Sequence, residues 1–430
     1  MRFQCFRRMK KMVKRFFACL VCLFLAASLV SVPAFSAEKV SIEMWHAMKA
    51  EKKDAIDGLV AKFMKENPGI TVTAKQFVSP DYRSCGNDYS YLYKNIIQGI
   101  AGSNPPDVAQ VYENWTTQFV EIGVITPFSH FKGPDALPKS EIDDIFPIFR
   151  DPCMYDGSMW TMPFNKSIYV LYYNKAVFSK LGLKPPKTWE EMRSACKRIY
   201  ESEGFPGVTF VPSVDMMGHT LYSNGGSFIV GDKAAFNDKT GFDSLNYWVD
   251  MVANNYASYS FKAYGDFLDG KAGMFIETTS RIGSLNKSCR FDYGIAFVPT
   301  GKSRLYQCAG TNLAIFSKDE AKKLAAWKLI RFFARKDNNV DLSIKTGYLP
   351  TRSSAYLSPE YQKYITDHPG YKIGVDALKY GVSQPRTSAW ESVRGFVSDA
   401  VFDAVSGNVT TEEAIDRSFE NSSDLLKGFK

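Results

Sequence analysis

Val40-Ser41-Ile42-Glu43-Met44-Trp45-His46 alternates apolar with polar side chains over most of its length, and that period of two predicts a strand. Beyond it, Ile56, Leu59, Val60, Phe63 and Met64 recur at i, i+3, i+4, i+7 and i+8, which is one face of a helix. Asn67-Pro68-Gly69 stops that helix. Ile70-Thr71-Val72-Thr73-Ala74 predicts a second strand, and Tyr93, Ile96, Ile97 and Ile100 mark a second helix closed by residues 102–106. Asp107 to Tyr112 (DVAQVY) is a third, more continuously apolar strand. Strand, helix, strand, helix, strand implies an α/β domain with a parallel sheet and right-handed crossovers.

The same order restarts after residue 165. Tyr169 to Tyr173 is strand-like, and Lys184-Pro185-Pro186-Lys187 leads into a helix. Thr188 with Glu191 forms the spacing of a capping box, in which each side chain satisfies the other's backbone N–H. Ser317 with Glu320, Ser388 with Glu391 and Thr410 with Glu413 repeat it, so four helix starts are expected. No short repeat or low-complexity tract interrupts the chain. Its length is too great for one compact core, and two domains are expected.

The start reads as an export signal. Residues 1–16 carry Arg2, Arg7, Arg8, Lys10, Lys11, Lys14 and Arg15 without an acid, and an apolar run from Phe17 to Val30 follows. Pro33 and Ala34-Phe35-Ser36-Ala37 then offer small residues for cleavage, so 1–36 is expected to be removed and the remainder to be periplasmic. The apolar run is shorter than the ~20 residues that span a bilayer. A lipid anchor at Cys19 or Cys22 is the weaker alternative, because small residues do not fill the positions before either. Seven of the eight net positive charges leave with the signal, and the remaining +1 gives no field to hold nucleic acid. Five cysteines stay, Cys85, Cys153, Cys196, Cys289 and Cys308, an odd and scattered set that suggests two bridges at most and fits buried free thiols.

Catalytic patterns are missing. His46, His130, His219 and His368 form no i, i+4 pair for zinc, and neither a Gly-x-Ser-x-Gly elbow nor a phosphate-cradling glycine loop occurs. Acid pairs such as Asp143-Asp144 and Glu190-Glu191 sit at turns and helix starts, where solvation explains them. The chain is expected to bind rather than to catalyse, without cofactor or metal. Aromatic residues make up 14% of it, with many tyrosines beside loops, where a flat face and a polar tip suit hydroxylated ligands.

Met44-Trp45-His46-Ala47-Met48, Pro106-Asp107-Val108-Ala109-Gln110-Val111-Tyr112-Glu113, Pro163-Phe164-Asn165-Lys166-Ser167, Leu171-Tyr172-Tyr173-Asn174-Lys175, Pro186-Lys187-Thr188-Trp189 and Lys345-Thr346-Gly347-Tyr348-Leu349-Pro350 together carry a resemblance. Across residues 39–428 the chain resembles the extracellular solute-binding proteins (family 1) of bacterial ABC importers, and within them the glycerol-phosphate-binding group. The resemblance implies an α/β two-lobe periplasmic-binding-protein (type II) fold, with three interlobe crossings and a ligand cleft between the lobes. Its lobes would be residues 38–163 with 309–338, and 168–304 with 343–430, crossing near 164–167, 305–309 and 339–342. The implied partners are a phosphorylated polyol or a sugar, and the permease subunits of an importer; a monomer is expected. Glycerol-3-phosphate or a glycerophosphodiester is the implied solute, and an oligosaccharide the alternative.

The resemblance also implies contacts. Glu113, at a strand's carboxyl end, would accept from glycerol hydroxyls. Ser167 and Thr278 would offer hydroxyls to the phosphate, and Gly310 would let a backbone N–H approach it. Tyr348 and Tyr89 would supply phenols, although Tyr82, Tyr91 and Tyr93 compete for the place of Tyr89. Arg394 would fork onto two phosphate oxygens. Where the group has a tryptophan against glycerol, this chain has Phe210-Val211-Pro212, which would admit a longer substituent.

Overall fold

The computed structural model describes residues 39–80 and 88–428, and the expected export segment 1–36 and Cys85 lie outside them. The predicted opening is present as β1 (Val40–His46), α1 (Glu51–Glu66), β2 (Ile70–Gln76), α2 (Asp88–Ala101) and β3 (Val108–Val111), followed at once by α3 (Glu113–Glu121). Helix α1 buries Ile56, Leu59, Val60 and Phe63, the stripe seen in the sequence, together with Ala55. β1 lies between β2 and β3 and runs parallel to both. All four residues of β3 are buried, the polar Gln110 included, as expected of a central strand covered on both faces.

Beyond residue 160 the sheet becomes mixed. Strand β4 (Met162–Asn174) starts seven residues before the expected Tyr169. It is followed by α4 (Trp189–Glu203), β5 (Val208–Phe210), α5 (Val214–Ser223), α6 (Lys239–Ala253), β6 (Ala257–Tyr259), β7 (Met274–Thr278), α7 (Ile282–Ser288) and β8 (Tyr293–Ala296). The chain closes with β9 (Tyr306–Ile315), α8 (Glu320–Ala334), α9 (Lys336–Thr346), β10 (Gly381–Val382), α10 (Trp390–Val405) and α11 (Thr411–Lys427). The strand order is β6-β5-β7-β4-β9-β3-β1-β2, with β8 on β4 and β10 on β9.

Two long strands belong to both halves of this sheet. β4 pairs antiparallel with β9 through residues 162–168, then with β7 through 169–173. β9 in turn pairs antiparallel with β3 through 312–315. The expected crossings at 164–167 and 305–309 therefore fall on or at the start of paired strands, whereas 339–342 lies inside helix α9.

Three of the four expected capping boxes are corrected. Thr410 forms a full reciprocal box on α11, whereas Thr188 caps α4 on one side only, because the Glu191 carboxylate accepts from Lys187 N–H instead. At α8 the cap is Asp319, because a carboxylate two residues on accepts from Lys322 N–H, while Ser317 Oγ donates to Asp107 at 2.5 Å. At α10 no side chain caps the helix, since Glu391 is drawn away to accept from Trp115 Nε1 at 3.0 Å. Trp45, Trp115, Trp189, Trp248, Trp327 and Trp390 are buried and serve packing. Cys153, Cys196, Cys289 and Cys308 are free thiols, and burial pushes Cys153 and Cys308 up to about 12, which leaves them unreactive.

Candidate functional site

Along β4 the side chains alternate between two faces, as the pleat dictates. Asn165, Ser167 and Tyr169 line a cavity of about 390 Å³, while Lys166 sits between them in sequence and lies outside it. Beside them, β9 contributes Gly310, held at φ +107° just before a register shift at Thr311/Asn312. A Cβ there would stand 1.9 Å from the Asn165 carbonyl oxygen, so only glycine permits this approach of β9 to β4. The walls come from segments that follow the carboxyl ends of β1, β3 and β7, where open α/β sheets place ligands.

Hydrogen bonds tie floor to wall. Ala47 N–H donates to Gln110 Oε1 at 2.8 Å, Gln110 Nε2 donates to Asn165 Oδ1 at 3.0 Å, and Asn165 Nδ2 donates to the Tyr89 hydroxyl at 3.3 Å. Burial first, then the neighbouring Tyr348 and Tyr112 phenols, push Tyr89 well above the ordinary tyrosine value, so it stays a neutral donor. Tyr348 is 7% exposed, and Lys52 Nζ stands 4.6 Å from its ring centre. Thr278 Oγ1 shares a 2.9 Å hydrogen bond with Ser280 Oγ.

Five of the seven residues named from the sequence thus share one cavity: Tyr89, Ser167, Thr278, Gly310 and Tyr348. Glu113 and Arg394 are not on its wall. Glu113 opens α3 and its carboxylate takes the ammonium of Lys166, which is only 2% exposed. Arg394 lies one ring behind the wall. Its guanidinium carbon is 6.0 Å from the ring centre of Tyr112, its Nη1 donates to Gln384 Oε1 at 3.2 Å, and its Nη2 reaches Asp215 Oδ2 only at 3.5 Å. Burial lowers its proton affinity, but Asp215 and Glu391 outweigh that and raise it, so the charge is permanent.

Sequence reasoning missed other wall residues. Asn165 and Tyr169 stand two positions either side of Ser167, and the strand period alone would have found them. Tyr112 precedes Glu113 at the same strand end. The loop after β1 adds Lys49 and the first turn of α1 adds Glu51 and Lys52, which the strand-end rule also predicts. Lys49 pairs with Asp88 at 2.6 Å, Arg281 with Glu277 at 3.6 Å, and Glu51 accepts from Ser284 Oγ at 3.2 Å. Burial raises the Glu51 carboxyl, yet its own backbone N–H, Lys287 and Ser284 outweigh it and hold it below the ordinary value. Lys49, Lys52 and Arg281 therefore face Glu51, Asp88 and Glu277, and the wall is formally neutral. None of its residues is a tryptophan, and none of residues 210–212 reaches it, because Phe210 packs on Trp248 in the core. Among the described residues no cluster of three His, Cys, Asp or Glu could hold a metal ion.

Such a cavity offers hydroxyls, amides, phenols and both signs of charge, which suits a small polar solute and bond making poorly. Residues 58–368 match the family described as bacterial extracellular solute-binding protein. The sn-glycerol-3-phosphate-binding periplasmic protein of Pectobacterium atrosepticum is 25% identical over 94% of this chain and 95% of its own length. In fold, the UgpB protein of Mycobacterium tuberculosis, solved in complex with glycerophosphocholine, superimposes with a TM-score of 0.79 at 20% identity, covering 90% of this chain and 98% of that one. The cyclic alpha-maltosyl-1,6-maltose binding protein of Arthrobacter globiformis does so with a TM-score of 0.76 at 22% identity, covering 90% and 99%. The expected two-lobe fold, with a cleft between the lobes, is the fold of these relatives, and the chain belongs to the bacterial extracellular solute-binding proteins, which bind their solutes and are not enzymes.

Proposed function

We propose that this protein captures a glycerophosphodiester, or glycerol-3-phosphate, in the periplasm and delivers it to the permease of an ABC importer. The neutral, tyrosine-walled cavity with Arg394 one ring behind it is the observation that carries the reading. A phosphomonoester brings a charge near −1.5 to −2, whereas a diester brings −1 and a choline-type head group returns +1. A wall with three cations and three carboxylates accommodates the low-charge diester better. Tyr89, Tyr112, Tyr169 and Tyr348 offer the aromatic faces that attract a quaternary ammonium. Lys52 pairs with no carboxylate among the described residues and remains available to phosphate, while Arg394, one ring behind the wall and held only loosely by Asp215, would reach the phosphate when the lobes close. The curated relatives are named for binding sn-glycerol-3-phosphate, the monoester that shares the glycerol-phosphate group.

In this reading lobes 38–163 with 309–338 and 168–304 with 343–430 close about β4 and β9, a hinge motion over a few residues. The sugar reading rests on the same neutrality and on the sugar-binding structural neighbours. Calorimetry with glycerophosphocholine, glycerol-3-phosphate and maltotriose separates the two. We expect the diester to bind, and Arg394→Ala to weaken it about ten- to a hundred-fold, the worth of a charge-assisted hydrogen bond. Unchanged affinity in Arg394→Ala, or binding of maltotriose alone, overturns the phosphate reading.

A further inference from the structure

A second cavity, of about 590 Å³, opens away from the solute cleft, where the end of α1 meets α8 and the start of α9. Its wall carries Lys328, Arg331, Arg335, Lys336 and Arg352 against Asp135, Glu141 and Asp337, an excess of two positive charges in a near-neutral protein. Arg352 is the informative member. It is 5% exposed, its Nε has no hydrogen-bond partner, and the carboxylates of Glu141 and Asp144 come no closer than 3.7 Å. Both carboxylates are engaged elsewhere. Asp144 accepts from Ser354 N–H at 2.8 Å and from Ser354 Oγ at 2.5 Å, and Glu141 takes Arg331 Nη2 at 2.5 Å. A buried guanidinium left this short of acceptors loses the hydration of its N–H groups without replacement, which a bound acceptor would restore.

Two further features converge on the same space. Lys328 and Lys336 are exposed and form no ion pair among the described residues. Helix α9 begins at Lys336 without a side-chain cap at Arg335, so the partial positive charge of an 11-residue helix opens there. The geometry points to a second ligand site, one that takes a small multivalent oxyanion such as phosphate or pyrophosphate, with Arg352 as its buried anchor and Lys328 and Lys336 as its rim. The site is independent of the solute cleft, because neither Arg394 nor any residue of the cleft wall contributes to it.

The test is calorimetric titration of the full chain with pyrophosphate, with chloride at matched ionic strength as control. We expect one saturable site, unchanged within about two-fold in Arg394→Ala and weakened about five-fold or more in Lys328→Met/Lys336→Met, whose exposed positions leave the fold intact. Arg352→Met should abolish it, and if that variant does not fold, the lysine pair decides. Absence of saturable pyrophosphate binding up to about 10 mM, equal competition by chloride, or loss of binding in Arg394→Ala with the lysine pair unaffected would overturn the assignment.

Discussion

Gly310→Ala puts the close approach of β9 to β4 under load. The residue holds φ +107°, and an alanine Cβ would lie 1.9 Å from the Asn165 carbonyl oxygen and 3.0 Å from Lys166 Cα. Both contacts are backbone, in the strand that β9 pairs with, so neither can swing aside. The positive φ costs about 1–2 kcal/mol, and forcing an extra carbon into close-packed backbone adds about 1–3 kcal/mol. The two together amount to about 2–5 kcal/mol, which at a urea slope of about 3 kcal/mol per molar moves the midpoint down by about 1 M. Gly204→Ala is the control, because it shares a positive φ (+75°) at the end of α4 but meets nothing within 4 Å. It should show the conformational part alone. Urea unfolding followed by tryptophan fluorescence, with six buried indoles to report, measures both variants. If Gly310→Ala proves no more destabilising than Gly204→Ala, the close approach of β9 to β4 is not as described. If it unfolds earlier but binds solute normally, Gly310 shapes the hinge and not the cleft.

Burial holds His46 at about 4 and His219 at about 3, both below the ordinary 6.5. The unfolded chain therefore binds protons first as pH falls, and stability should drop between about pH 6.5 and 4 by up to about 1.4 kcal/mol per pH unit per histidine; denaturation midpoints across that range check this, and a flat profile refutes it. For the Glu113–Lys166 pair, Glu113→Gln should cost about 3–5 kcal/mol by stranding a buried ammonium, while Glu113→Gln/Lys166→Met should recover much of that. A double variant as unstable as the single one would show that the pair matters for shape and not for charge.

Local pattern carried a large share of the fold. The β1-α1-β2-α2-β3 order is legible because each element announces its own period, and α1 buries the stripe its spacing displays. The capping residue was right at Thr188 and Thr410 and wrong at Ser317 and Ser388. Asp319 is a better acceptor only two residues on, and Glu391 answers to an indole 276 residues away in sequence. Tyr89, Ser167, Thr278, Gly310 and Tyr348 came from the resemblance, and the structure brings all five to one cavity.

What the sequence determined by itself is the alternation of strands and helices, because hydrophobic period and turn residues act over a few positions. What only the tertiary structure decided is the electrostatic state of the cleft. Lys166 faces away from Asn165 and Ser167 and absorbs the Glu113 carboxylate, and Asp215, 179 residues from Arg394, takes a share of its charge. Whether a charge is free or already answered depends on which distant segment folds against it, and no local pattern records that.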